Sequence, residues 1–522
     1  MTTASLRLPA PVQLGVGAPT IADIVAVARG GAQVILTEQA RAMVEQTREV
    51  IESLAADTVP HYGVSTGFGA LATTHIPVDK RRDLQRSLVR SHAAGSGPPV
   101  EREVVRALMF LRISTLATGR TGIRLSTLDA YVAMLNAGIT PVVHEYGSLG
   151  CSGDLAPLAH CALALIGEGD VTDHSGAGRP AAQALADAGL APVELAEKEG
   201  LALINGTDGM LGMLCLAIVD LNRLVTVADL ATSMSVDGLL GTDEVFAADL
   251  QALRPQPGQA VSADNLRVLM AGSGIRASHR DPQACTRVQD AYSLRCAPIV
   301  TGACRDTIAY ATTVAGHELA SAVDNPVVTA DGRVESNGNF HGAPVAYVLD
   351  FLAIAVADLA SMSERRTDRF LDVARNHGLP PFLAADPGVD SGHMIAQYTA
   401  AGIVAELKRL AAPASVDSIP SSAMQEDHVS MGWAAGRKLR RAIDGLTRVL
   451  AIEVLTAARG LQMRAPLAPA PAAAAVIDEL TAAGASRPGA DRFLAPEIEV
   501  AYDLVASGTL VAAAERVTRR LG

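Results

Sequence analysis

Apolar residues recur at helical spacing along most of the chain. Between residues 100 and 136, positions such as Val104, Leu108 and Leu111 repeat at three- and four-residue intervals, which predicts two helices broken at 119–122. Amphipathic stretches predict further helices over 21–29, over 37–55 behind a Thr37 cap, and over 79–91. An apolar helical run covers 155–166, a long one covers 210–234, and similar runs follow at 286–293, 305–321, 343–375, 391–411 and 431–462. Several exceed the usual mean of about 11–12 residues, as expected where long helices share one core. The predicted fold is mainly α: a bundle of long helices with a smaller, loop-rich N-terminal part. One domain over 1–522 is expected, in three parts: 1–207 rich in loops, 208–464 the long helices, and 465–522 a C-terminal helical piece behind the Ala/Pro run 465–475. Residues 169–195 read as a surface excursion, no internal repeat is visible, and strands should be few.

The places where this pattern stops carry the chemistry. Residues 59–69, Val-Pro-His-Tyr-Gly-Val-Ser-Thr-Gly-Phe-Gly, are too glycine-rich for a helix or strand, and 92–99 form a second irregular stretch. The most informative break is 147–158, where Gly147, Gly150 and Gly153 lead through Ser152 and Asp154 into the apolar run. Glycine reaches positive φ without a Cβ clash, so such a loop can hold a compressed backbone. At Cys151-Ser152-Gly153 the compression allows covalent chemistry. The unhindered Gly153 nitrogen can attack the Cys151 carbonyl carbon, closing a five-membered ring with loss of water, and loss of the Ser152 hydroxyl then leaves a methylidene-imidazolone. Only the Cys151 side chain stays outside the ring. Taken alone, the stretch reads equally as a Gly-rich turn that caps a helix, with Asp154 near its positive end.

Composition narrows the classes. Apolar residues make up 49% of 522 but aromatics only 3%, so the apolar content is Ala, Leu and Val, suited to close-packed helices. A net charge of −12 with no Lys/Arg run disfavours nucleic acid or an anionic membrane surface as partner. The first residues lack the basic-then-apolar order of a secretory signal. Outside the Pro- and Gly-bearing loop at 58–78, no uncharged run reaches the roughly 18 residues of a membrane span. The six cysteines show no C-x-x-C or zinc spacing, which points to reduced thiols, a cytoplasmic setting and no metal site.

Further motifs decide between the readings of 147–158. Gly63-x-Ser65-x-Gly67 matches a hydrolase nucleophile elbow formally, but Pro60 precedes it and no helical stripe follows, so the strand-to-helix context is absent. Gln289-Asp290-Ala291-Tyr292-Ser293-Leu294-Arg295 places Tyr292 and Arg295 three apart, on one face of a helix. Arg295 offers a planar fork suited to a carboxylate. With Tyr62-Gly63-Val64, Ile204-Asn205-Gly206-Thr207, Asp324-Asn325-Pro326, Gly338-Asn339-Phe340-His341-Gly342 and Ser422-Ala423-Met424-Gln425-Glu426-Asp427-His428, these segments and 147–158 resemble, in order, the motifs of the aromatic amino acid ammonia-lyase family. The similarity spans essentially the whole chain and is greatest to histidine-specific bacterial members. Departures are Cys151 for the usual Ala, Ser65 for a frequent Asn, and Met424 for the commoner Asn.

The resemblance implies a carbon–nitrogen lyase whose prosthetic group forms from Cys151, Ser152 and Gly153 without a dissociable cofactor. It implies a catalytic role for Ser152, Tyr62 as the base and Tyr292 beside it, and substrate contacts from His92, Asn205, Gln289, Arg295, Asn325, Phe340 and Glu426. A phenol with a pKa near 10 is a poor base at neutral pH, so Tyr62 would need a positive local field. His92 suits a histidine or tyrosine ring, and Glu426 favours histidine, because a carboxylate can accept from an imidazole N–H whereas burying it against phenyl is costly. The expected product is urocanate and the expected assembly a homotetramer with shared sites. A tyrosine or phenylalanine lyase, or a 2,3-aminomutase on the same scaffold, remains as alternative, as does a serine hydrolase acting through Ser65. The ring chemistry makes a direct prediction: the intact mass falls short of the sequence mass by two waters, and Ser152→Ala abolishes turnover while the fold persists. An unmodified mass in active protein would overturn it.

Overall fold

Helix starts follow the side chains that can satisfy free backbone N–H groups. Thr20 and Asp23 form a reciprocal capping box at the head of helix Ile21–Ala28, with the Thr20 hydroxyl accepting from the Asp23 N–H at 3.2 Å. The Thr37 hydroxyl accepts from the Ala40 N–H at 3.2 Å and opens helix Glu38–Ala56. The computed structural model describes residues 9–15, 17–56, 61, 66–67, 74–173, 176–281, 285 and 288–522. Twenty α-helices lie among the described residues, against strands of two to four residues, which is the mainly α fold expected.

The pattern-based elements hold for most helices and fail in three places. Residues 288–291 are not helical, and the helix runs over Tyr292–Arg295 instead. Here the buried Asp290 carboxylate accepts the Thr242 N–H at 2.8 Å, tying this segment to another part of the chain. The excursion at 169–195 contains strands Asp170–Thr172 and Gly178–Pro180; Asp170–Thr172 is the central strand of a three-stranded antiparallel sheet, pairing with Thr140–Pro141 on one side and with Gly178–Pro180 on the other. Helices Ala248–Ala252, Pro257–Leu269 and Gly274–Ser278 were not expected; the first and third are short, and Pro257 occupies the first turn of the second.

The chain forms two compact units, which cut across the parts 1–207, 208–464 and 465–522. The first comprises Met1–Leu216, Thr312–Asp350 and Pro413–Arg437. It holds the small sheets, including the parallel pair Val12–Leu14 with Val34–Leu36 and the antiparallel pair Ser96–Pro99 with His144–Tyr146. Its core includes Leu108, Phe110 and Leu111 of helix Arg102–Ala117, all buried.

The second unit comprises Ala217–Ala311, Phe351–Ala412 and Lys438–Gly522. Here a buried ion pair ties helices together: the Arg366 guanidinium meets the Glu453 carboxylate in a two-pronged contact at 2.5 and 2.9 Å, with both side chains at most 1% exposed. Ser235 donates to the same carboxylate at 2.7 Å, and Arg366 also donates to the Ser293 carbonyl at 3.2 Å, inside the Tyr292–Arg295 turn. Helices Asp208–Gly238 and Ala343–Leu371 are long and apolar enough to cross a membrane, but 78% and 61% of their most apolar windows is buried inside the protein. Removing one partner of a buried pair strands the other charge. Arg366→Met should therefore cost about 3–5 kcal/mol, read as a lower denaturation midpoint; a midpoint equal to wild type would show that the pair contributes no net stability.

Candidate active site

The glycine-rich break folds against a second turn from the same unit. Gly153 pairs with Gly206 in a parallel bridge, and the Asp154 N–H donates to the Gly206 carbonyl at 2.7 Å. Gly153 sits at φ +76°, and a Cβ there would come within 2.0 Å of the Gly206 oxygen. Gly150, at φ +70°, is equally confined: a Cβ would lie 2.1 Å from the Ser430 hydroxyl. These residues fit the expected ring, because Gly153 takes a positive φ and only glycine is tolerated at the position whose nitrogen must close it.

Three helix N-termini meet this segment. Helix Leu155–Leu165 leaves from Asp154, and helix Asp208–Gly238 starts just beyond Gly206. Ahead of helix Gly432–Gln462, the Met431 N–H donates to the Leu149 carbonyl at 2.9 Å and the Ser430 hydroxyl to the Gly150 carbonyl at 3.1 Å. Each helix start carries about half a positive charge, so together they favour negative charge developing beside Ser152. Asp154 does not cap its own helix. Its buried carboxylate accepts the Met210 N–H and the Ser148 hydroxyl, both at 2.8 Å, and burial pushes its pKa up to about 7 despite those bonds.

Ser152, His92, Asn205 and Glu426 all line one cavity of about 460 Å³, a volume suited to a small ligand. Leu84, Ser87, Leu88, Ser91 and His92 share one wall, at the i, i+3, i+4, i+7, i+8 spacing of one helix face. That stripe was the sequence signal for a cavity wall of which only His92 was singled out. His92 Nδ1 lies 3.0 Å from the Leu88 carbonyl, an acceptor only, so this nitrogen carries the proton. Burial lowers the His92 pKa, against the raising effects of that hydrogen bond and of Glu426. The ring is therefore neutral near pH 7, with Nε2 left as an acceptor.

Glu426 is set by a tight loop. Ser421 and Glu426 pair as a bridge, and the Ser421 hydroxyl donates to one carboxylate oxygen at 2.9 Å. Between them Ser422, Ala423 and Met424 take φ of +50°, +52° and +71°, a region Asn enters more readily than Met. Burial, then the charge of Glu426, raises the Cys151 thiol to about 12, so the thiol stays protonated and unreactive.

A buried polar frame holds Asn205. Its side-chain amide donates to the Asn325 carbonyl at 2.8 Å. The fully buried Arg112 guanidinium donates to the Asn205 carbonyl, and to the Val323 carbonyl at 2.9 Å, while lying 3.4 Å from the Asp208 carboxylate. Lys198 and Asp324, both fully buried, form an ion pair next to Asn325. Arg112 and Lys198 escaped the sequence reading, since isolated basic residues give no pattern. Asn325 accepts the Asn337 N–H at 3.0 Å, and Phe340 is half-buried in the turn before Gly342, outside the cavity lining. Tyr62, the expected base, and Ser65 lie outside the described residues.

In the second unit, the Arg295 guanidinium carbon stands 4.7 Å from the centre of the Tyr292 ring. Tyr292 is 70% exposed, whereas Arg295 Nε is buried with no hydrogen-bond partner among the described residues. Such a nitrogen is able to donate to an anionic ligand. Gln289, exposed, lies just ahead of the same turn. Among the described residues no group of three or more His, Cys, Asp or Glu is arranged to hold a metal ion.

Comparison with known proteins agrees over nearly the whole chain. Residues 20–482 match the family model described as aromatic amino acid lyase. Histidine ammonia-lyase of Streptomyces coelicolor is 63% identical over 507 residues, 97% of this chain and 99% of the relative. The enzyme of the same name from Streptomyces griseus is 62% identical over 509 residues, 97% and 99% of the two chains. Among solved structures, a tyrosine aminomutase from Streptomyces globisporus superposes with a TM-score of 0.92 at 37% identity, covering 98% of this chain and 100% of that one. Histidine ammonia-lyase from Trypanosoma cruzi does so with a TM-score of 0.88 at 36% identity, covering 97% and 95%. The Gly153–Gly206 contact gives a test: Gly153→Ala should cost at least about 1–3 kcal/mol in backbone strain and leave the intact mass without the loss of two waters. A variant with wild-type mass loss would show that the close approach is not required for the ring.

Proposed function

The chain belongs to the aromatic amino acid lyase family, and from that membership we propose that it is a histidine ammonia-lyase, eliminating ammonia from L-histidine to give trans-urocanate, the first step of histidine degradation. The observation that carries this reading is the sharing of one cavity by Ser152, His92 and Glu426. It is supported by relatives named histidine ammonia-lyase at 62–63% identity. The whole chain, 1–522, acts as one catalytic unit on this reading.

A methylidene-imidazolone formed from Cys151, Ser152 and Gly153 would supply an electrophilic carbon that takes up the substrate. The protein's own groups do the rest. Neutral His92 presents Nε2 to one ring N–H, and Glu426 accepts from the other and favours the cationic imidazole. Two acceptors around one ring suit an imidazolium and leave a phenyl ring without partners. Arg295 takes the substrate carboxylate in its fork, Asn205 with Gln289 and Tyr292 orients the bound molecule, and Asn325 steadies Asn205. The family resemblance assigns Phe340 to the pocket wall, although it lies outside the cavity lining here. Tyr62 removes the β-proton.

The same reading includes a homotetramer in the cytoplasm with sites shared between copies, acting on a small amino acid and on neither nucleic acid nor membrane. Exposed Phe351 and Ile354 on helix Ala343–Leu371, with Tyr310 on helix Ala297–Leu319, form the kind of apolar surface that assembly would cover. Purified protein given L-histidine should generate urocanate absorbance, with L-tyrosine and L-phenylalanine slower by about 100-fold or more. Glu426→Gln should cut histidine turnover by about 10- to 1,000-fold with the fold retained. Cinnamate or coumarate formed faster than urocanate would reverse the substrate assignment, and a β-amino acid as main product would make the enzyme an aminomutase.

A further inference from the structure

We propose that His160 is a positioning residue for the pocket wall: it fixes the segment after His92 through Gly95 and thereby sets His92 relative to Ser152. The proposal rests on the reading of His92 as a ring-recognising residue. His160 lies on helix Leu155–Leu165, which leaves the Ser152 loop, and it is not part of the cavity lining.

The Gly95 N–H donates to His160 Nε2 at 3.1 Å. A backbone N–H can only donate, so Nε2 must present a lone pair and the ring must be neutral. Burial, with a smaller contribution from His144, brings the His160 pKa down to about 4, which keeps that lone pair available over the working pH range. His144 packs edge-on to His160 with ring centres 5.2 Å apart, and its Nδ1–H donates to the Gly97 carbonyl at 2.9 Å. Strand His144–Tyr146, which pairs with Ser96–Pro99, runs directly into Gly147.

The segment 93–99 is thus gripped by the strand that enters the glycine-rich loop and by the helix that leaves it. There is no slack at Gly95, where a Cβ would lie 3.0 Å from His160 Nε2 and 3.1 Å from the Tyr146 carbonyl. From Gly95 the hydrogen bonding continues to the cavity: the Ala94 N–H donates to the His92 carbonyl at 2.8 Å, and the Ala93 N–H to the Val89 carbonyl at 3.0 Å. His92 is the last residue of its helix, so the clamp acts on it through a short, bonded path.

A double-mutant cycle on the full-length protein tests this. His160→Phe keeps an aromatic ring and removes the acceptor. It should lower kcat/KM for L-histidine by about tenfold or more while the intact mass keeps the loss of two waters, and His160→Gln, whose amide oxygen can accept from Gly95, should recover most of that. In a His92→Ala background, His160→Phe should lower kcat/KM by less than about twofold, because coupled residues are not additive. If the Phe variant does not accumulate, His144→Phe enters the same cycle, since it loosens the segment at Gly97. Equal losses in both backgrounds, or a Gln variant no better than Phe, would overturn the proposal and make His160 merely structural. Unchanged turnover in His92→Ala alone would instead overturn the reading of His92 in the proposed function.

Discussion

Between Gly153 and Gly206 there is no space for a side chain, and most of the site depends on that contact. The Gly206 carbonyl receives the Asp154 N–H at 2.7 Å, so two chain segments far apart in sequence meet backbone to backbone. Because helices Leu155–Leu165 and Asp208–Gly238 begin just beyond the two turns, closing the contact also brings their positive ends together. A larger residue at Gly153 would separate them, whereas one at Gly206 would collide with the Asp208 carboxylate and the Arg112 guanidinium. The geometry that permits ring closure at Cys151–Gly153 is therefore the same geometry that creates a field favouring negative charge there.

Around this contact the protein keeps charges that an apolar core would not need. Burying an ion pair seldom adds net stability over well-packed apolar side chains. Here each pair ends on a group that holds the Asn205–Gly206 turn: Arg112 on the Asn205 carbonyl, and Lys198 through Asp324 beside Asn325. Burial lowers the Lys198 pKa, and Asp324 is the counter-charge that opposes this. These groups contribute orientation at the turn that supports Gly153.

On the proposed reading, the cavity combines this floor with a wall that carries recognition. A neutral histidine and a carboxylate on opposite segments differ in what they can do: His92 accepts without charge, whereas Glu426 accepts with it. Burial sets the first, and the Ser421 hydroxyl steadies the second. Such a pair distinguishes rings by their N–H groups, a stronger basis for selection than shape, because a ring lacking them leaves buried acceptors unpaired.

By itself the sequence determined the mainly α fold, the long helices and the unusual covalent potential of Cys151-Ser152-Gly153, since periodicity and glycine spacing are local properties that need no partner. It also contained, unread, the stripe from Leu84 to His92 that lines the cavity. Tertiary structure decided the rest. Residues 288–291 are not helical, and Asp290 finds a backbone donor at Thr242, a contact that no local propensity encodes. Asp154 binds the head of helix Asp208–Gly238 and not its own helix, and Arg112 and Lys198 enter the site's frame only because the chain folds back on itself. Each of these depends on a hydrogen bond or ion pair between residues distant in sequence, whose free energy exists only once burial has removed competing water.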